Sequence, residues 1–223
     1  MKFKALALIL TAGLAAANCA TARDMGTTFD VGTTGLGLHV ATEVAPKLNA
    51  RVGVNVANYS YDGSTSDIKY DFKLKLATAD ALLDYHPFDG AFRVSAGAVY
   101  NANKIKAKAK PNGNGTYTIN DTVYDAATVG NLEGKIDFRK VAPYLGIGWG
   151  NAAKEAGWGF GMDLGVTFQG SPKIDFASTG CSADATRCAQ LNRDVQAEKG
   201  KLADEVKDFK FYPVIRIGVS YRF

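Results

Sequence analysis

Histidine and cysteine are scarce: two and three residues in a chain of 223. Neither His39 nor His86 lies in a recognised catalytic or metal motif. Cys181 and Cys188 lack the paired spacings and nearby histidines of a zinc site. The glycines around 146–148 and 157–165 lack the G-x-G-x-x-G spacing of a phosphate loop and fall within alternating segments. No catalytic, cofactor-binding or metal residue is therefore assigned. Charge of one sign is not in large excess either, the formal net charge being +4, which argues neither for nor against a charged partner. After residue 17 no apolar run approaches the roughly 20 residues that a membrane-crossing helix needs.

The one apolar run stands at the start. Lys2 and Lys4 precede an uncharged stretch over residues 5–17, and Ala20-Thr21-Ala22 follows as a small-residue cleavage site. This is the pattern of a secretory signal peptide over residues 1–22, leaving one mature domain over 23–223 with a net charge of about +2. Cys19 raises the alternative of a lipid-modified cysteine, against which Asn18 stands where a small residue is wanted. Once the leader is removed, Cys181 and Cys188 are an even pair in a chain sent to an oxidising compartment, and a disulfide between them is expected.

What the chain has in abundance is alternation. Leu36, Leu38, Val40 and Val44 share one face against Gly37, His39, Ala41 and Glu43; Val52, Val54 and Val56 oppose Arg51, Gly53 and Asn55. The period recurs with Phe92, Val94, Ala96, Ala98 and Tyr100 against Arg93, Ser95 and Gly97. It recurs again with Trp158, Phe160, Met162, Leu164, Val166 and Phe168 against Gly159, Gly161, Asp163, Gly165, Thr167 and Gln169. In the last segment Phe211, Ile215, Ile217, Val219, Tyr221 and Phe223 face away from Arg216, Gly218, Ser220 and Arg222. A soluble β-sandwich also alternates. Here the polar face is rich in glycine with isolated charges, and large aromatics stand at strand ends: Tyr85 and Phe88, Trp149 and Trp158, Tyr221 and Phe223. Short connections (45–49, 86–90, 150–156) alternate with long ones (62–67, 103–134, 170–208). These features predict an all-β, antiparallel, up-and-down transmembrane barrel of about eight strands, its short turns in the periplasm. The first strand falls within residues 25–31.

The segment from Ile68 breaks the pattern, because carrying the parity of Tyr70, Phe72, Leu74 and Leu76 onward would put Asp80 toward lipid, an expensive place for a charge. Either a β-bulge near Thr78 switches the parity, or the first half of the strand stands above the membrane.

The ending Tyr221-Arg222-Phe223 resembles the assembly signature of outer-membrane barrels. The stretches Leu83-Asp84-Tyr85-His86-Pro87-Phe88, Pro143-Tyr144-Leu145-Gly146-Ile147-Gly148-Trp149-Gly150-Asn151 and Phe168-Gln169-Gly170-Ser171-Pro172 are similar to a family of small proteobacterial outer-membrane barrels, in the size class of OmpW and OmpX. The resemblance implies an eight-stranded barrel in the Gram-negative outer membrane, with outer-membrane lipids and the barrel-assembly machinery as partners, and it brings no catalytic residues. It marks Tyr221 and Phe223 as the assembly signal. A helical-looking segment over 189–207, with Leu191, Val195, Leu202 and Val206 near helical spacing, departs from the small-barrel norm, and Gly200 interrupts it.

Three acids and three arginines are expected to pair inside the lumen: Glu43 with Arg51, Asp84 with Arg93, and Asp163 with Arg216, filling it as a charge network. The leading expectation is thus a non-enzymatic barrel with a structural or surface-interaction role. The alternatives are a narrow pore for small or apolar molecules and a membrane-embedded lipid-modifying enzyme. Lys104, Lys106, Lys108 and Lys110 alternate on an extended segment, suited to anionic lipopolysaccharide rather than to nucleic acid.

Overall fold

The computed structural model describes residues 25–64, 69–111, 113–154 and 156–222. The expected signal peptide with Cys19, the start of the mature chain, Ile68 and the terminal Phe223 lie outside the described residues.

Eight antiparallel strands close into a barrel: β1 (Met25–Gly32), β2 (Gly35–Ala45), β3 (Leu48–Ser64), β4 (Lys69–Tyr85), β5 (Phe92–Asn101), β10 (Val141–Trp149), β11 (Gly157–Phe168) and β13 (Phe211–Arg222), with β13 returning to β1. The alternation read from the sequence is what makes this closure possible. Leu36, Leu38, Val52, Val54, Ile215, Ile217 and Val219 all stand outward and exposed, while Asn55, Arg51 and Arg216 point inward and are buried. On β13 the apolar face runs from Phe211 to Tyr221, about 33 Å of strand. A tilt near 40° turns that into a band of roughly 25 Å, the height of a membrane barrel's apolar wall. Aromatic contacts mark both edges of the band. Trp158 meets Tyr221 (centroids 5.2 Å apart) and Phe92 meets Trp149 (5.1 Å) at the short-turn end, and Phe168 meets Phe211 (5.6 Å) at the other.

The bulge near Thr78 is not formed. β3 and β4 pair without a register shift from Ser64↔Lys69 to Leu48↔Tyr85, so Asp80, Leu82 and Asp84 all point inward and are buried. Instead, above Thr78↔Asn101, where the pairing with β5 stops, β4 leaves the barrel wall and pairs with β6 (Lys104–Lys110).

The two longest connections are therefore not loose loops. β6 pairs with β9 (Asn131–Asp137), which pairs with β12 (Lys173–Thr179), extending the upper halves of β3 and β4 into a sheet beyond the barrel. A hairpin, β7 (Thr116–Ile119) and β8 (Thr122–Asp125), a single turn α1 (Ala126–Val129) and a helix α2 (Ala185–Val206) cover it. This cap has its own core, in which Tyr117, Ile119, Tyr124, Leu132, Phe176, Leu191 and Val195 are buried together. α2 runs unbroken through Gly200, capped by the Asp184 carboxylate, which accepts from the Arg187 amide. Its main contacts are with β12 and β7, and its Asp194 carboxylate accepts from Tyr124 of β8. Cys181 and Cys188 form a disulfide that ties the start of α2 to the end of β12. Among the described residues no helix is long and apolar enough to cross a membrane.

Candidate functional site: the charged lumen

Inward parity brings eight ionisable side chains into the barrel's interior below the cap, all buried: Asp30, His39, Arg51, Asp80, Asp84, Arg93, Asp163 and Arg216. Glycine makes the room. A Cβ on Gly53 would collide with the His39 ring, and one on Gly148 would lie 2.9 Å from Arg93 Nε. The glycine-rich inner face thus lets long polar chains cross a bore that is otherwise just wide enough for side chains.

The network has two levels. Nearer the short turns, Arg51 donates from Nε to Asp84 Oδ2 (2.7 Å) and from Nη2 to Asp84 Oδ1 (3.1 Å). The same guanidinium reaches the far wall, donating from Nη1 to Asp163 Oδ2 (2.9 Å) and from Nη2 to Asp163 Oδ1 (3.2 Å). Ser95 Oγ donates to Asp84 (2.5 Å). Arg93 Nη2 donates to Asp163 Oδ1 (2.8 Å), and its other terminal nitrogen is held by the carbonyls of Trp149 (3.0 Å) and Gly150. The planar fork of arginine is what allows one side chain to satisfy two carboxylates.

On the upper level, Asp80 accepts from Arg216 Nη1 (3.1 Å) and from Asn55 Nδ2 (3.0 Å). Arg216 Nε lies 3.6 Å from Asp163 Oδ2, so Asp163 is approached by all three arginines. His39 stands between Asp30 (Nδ1 to Oδ2, 2.6 Å) and the Arg216–Asp80 pair. His39 Nε2 lies 2.8 Å from Arg216 Nη1, which can only donate, and 3.1 Å from Asp80 Oδ2, which as a carboxylate oxygen accepts, while Nδ1 faces Asp30. Three guanidinium groups thus face four carboxylates, with the His39 ring between Asp30 and the Arg216–Asp80 pair.

The six sequence-assigned residues fare differently. Arg51, Asp84, Arg93, Asp163 and Arg216 come together, with partners other than those expected. Arg51 takes Asp84 and Asp163, and Arg93 takes Asp163, its Nε standing 3.9 Å from Asp84. Asp163 and Arg216 are directly opposite in register, as expected. Glu43 is corrected. It is exposed at the short-turn rim and sits opposite Asn49, while Arg51 sits opposite Ala41. The pairing of β2 with β3 shifts between Glu43 and Ala45, so counting equal distances from the turn misplaces it by one inward position. Sequence reasoning missed Asp80, whose parity hung on the bulge, and Asp30, on the weakest strand. It also left His86 without a place inside the barrel. That ring is buried, donates from Nδ1 to the Gly90 carbonyl (2.9 Å) and lies 3.3 Å from Asn49 Nδ2. Burial, aided by the Arg93 charge, holds its pKa below the usual imidazole value.

Two small spaces flank the network. One, of about 30 Å³, lies toward the short turns between Asn49, His86 and Asn151; the other, of about 10 Å³, lies toward the cap between Thr34, Asn103 and Tyr212. Arg216 borders both. Each has room for only one or two waters. Among the described residues no group of three or more His, Cys, Asp or Glu side chains is arranged to hold a metal ion.

No protein-family model and no curated protein sequence matches the chain. Solved structures do. The chain is similar to Acinetobacter baumannii CarO, with a TM-score of 0.55 and 22% identity over 89% of this chain and 97% of that one. It is also similar to Acinetobacter baumannii CarO2, with a TM-score of 0.56 and 22% identity over 89% of this chain and 98% of that one. At that identity the likeness supports the fold: a closed, eight-stranded antiparallel barrel with a helix in a late connection.

Proposed function

We propose that the protein is a non-enzymatic barrel of the Gram-negative outer membrane, with a structural or surface-interaction role and a lumen sealed to solutes. The observation that carries this reading is the Arg51 guanidinium, which joins Asp84 on one wall to Asp163 on the opposite wall across the bore. Arg216 divides what space is left into two water-sized compartments. A solute path would require both arginines to leave buried carboxylates uncompensated, which costs several kcal/mol per ion.

The outward apolar band, its aromatic edges and the alternation of short turns with a large cap favour the outer membrane, with the turns in the periplasm and the cap outside. The non-enzymatic reading rests on the same geometry. The Asp30–His39 pair has the form of a base with its orienting carboxylate, but the nitrogen that would take a nucleophile's proton is occupied by Arg216. Cell fractionation tests the reading: the protein is expected in the outer-membrane fraction, with gel mobility that changes on heating, and deletion of Phe223 is expected to reduce its recovery there. Recovery as a soluble periplasmic protein contradicts it.

A further inference from the structure

The outer wall of the barrel changes character at one level. On β3 the outward residues Val52, Val54 and Val56 give way to Asn58 and Ser60. On β4 the outward row of Tyr85, Leu83, Ala81, Ala79 and Ala77 gives way to Lys75 and Lys73. The change falls one step beyond Leu36↔Val56↔Ala77, where β2 also ends its pairing. There β6 joins the sheet and adds Lys104 opposite Lys75 and Lys106 opposite Lys73.

Two like-charged pairs thus stand directly across neighbouring strands, with Cβ atoms about 5 Å apart, an arrangement that destabilises a sheet unless something neutralises it. On its other side Lys104 faces Asp137 of β9, a carboxylate already ion-paired with Lys135, and Lys106 faces Lys135 itself; none of the four lysines has a described carboxylate within ion-pair distance. With Asn58 and Ser60 they line a groove of about 260 Å³, far larger than either space in the lumen.

We propose that this groove binds the phosphate groups of an outer-leaflet lipid, lipopolysaccharide, whose acyl chains run down the apolar wall immediately below. The lysines supply the charge complement, Asn58 and Ser60 supply hydrogen bonds to phosphate or sugar oxygens, and the position at the top of the apolar band is where headgroup phosphates lie. That continuity with the lipid-facing wall favours a lipid over a free phosphate ion. The proposal rests on the outer-membrane reading above.

The test titrates full-length mature protein, refolded in a zwitterionic detergent, with diphosphorylated lipid A, with its dephosphorylated form and with inorganic phosphate. Lipid A is expected to bind. Removing its phosphates, or combining Lys73→Gln, Lys75→Gln, Lys104→Gln and Lys106→Gln, is expected to weaken binding about a thousandfold, given the usual contribution of each surface lysine to anionic-lipid attraction. The four corresponding Lys→Arg substitutions are expected to retain it. If the fourfold glutamine variant fails to fold, the pair Lys75→Glu and Lys104→Glu is read in its place. Unchanged binding by the folded variant overturns the proposal, as does competition by inorganic phosphate at millimolar concentration, which would mark a solute site. Fractionation of the same cells separates the two readings: wild-type protein outside the outer membrane contradicts the location, whereas correctly located protein with unchanged lipid A affinity contradicts the groove alone.

Discussion

Arg51 and Asp163 stand on opposite walls of the barrel, on β3 and β11, and are joined by two hydrogen bonds of 2.9 and 3.2 Å. Both are buried. A strand-to-strand hydrogen-bond ladder holds only neighbours together; this pair ties the closed sheet across its diameter and makes the bore a cross-braced interior.

Arg51→Ala leaves Asp84 and Asp163 short of their main donor. The expected loss is about 3–5 kcal/mol in urea unfolding from detergent micelles, the range for breaking a buried ion pair, and a second substitution, Asp163→Asn, is expected to recover part of it. Glu43→Ala, at the exposed rim, is expected to change stability by less than about 0.5 kcal/mol. Equal effects of Arg51→Ala and Glu43→Ala contradict the assignment of partners.

Gly53 faces the His39 ring so closely that any side chain there must displace it. Gly53→Ala is therefore expected to cost about 1–3 kcal/mol by overpacking, and less in a His39→Ala background where the ring is absent. The two costs are compared by the same unfolding measurement. An identical cost in both backgrounds means that the penalty arises from the strand itself.

The cap has a pH window of its own. Tyr124 Oη donates to Asp194 Oδ2, and Asn120 and Gln190 also donate to that carboxylate. The Tyr124 hydrogen bond holds the Asp194 pKa below the usual carboxylate value, so this contribution is present above the unfolded pKa near 4 and is lost as pH falls through the folded one. Burial and the bond to Asp194 push the Tyr124 phenol up to about 12. Its contribution is present below the unfolded value near 10 and is lost as pH rises toward the folded one. Protection of the α2 amides, taken relative to their base-catalysed intrinsic exchange rates, is expected to be greatest between these limits and to fall at both ends. Tyr124→Phe is expected to remove the alkaline limb and flatten the acid one. An α2 exchange profile that Tyr124→Phe leaves unaltered contradicts this.

The barrel was legible because its signal is strictly local: a period of two places Leu36, Val54 and Ile217 outward and His39, Arg51 and Arg216 inward wherever the strand is regular. The cap was not, because the pairing of β6 with the upper half of β4, and of β9 and β12 beyond it, is a long-range choice that no window of sequence reveals. In the lumen parity identified Arg51, Asp84, Arg93, Asp163 and Arg216 but neither Asp30 and Asp80 nor most of the partners. A guanidinium reaches across the bore to a strand several places away in the sheet, as Arg51 does to Asp163. Glu43 shares the inward parity of Ala41 but lies at the exposed rim opposite Asn49, too far along the strand to join the network.

The central claim is that this brace closes the lumen. Single-channel recording of the wild-type protein in planar bilayers tests it most directly. The account predicts no steady conductance for wild type and the appearance of conductance when Arg51 and Arg216 are both replaced by Ala. A steady ionic current through the wild-type barrel would contradict it.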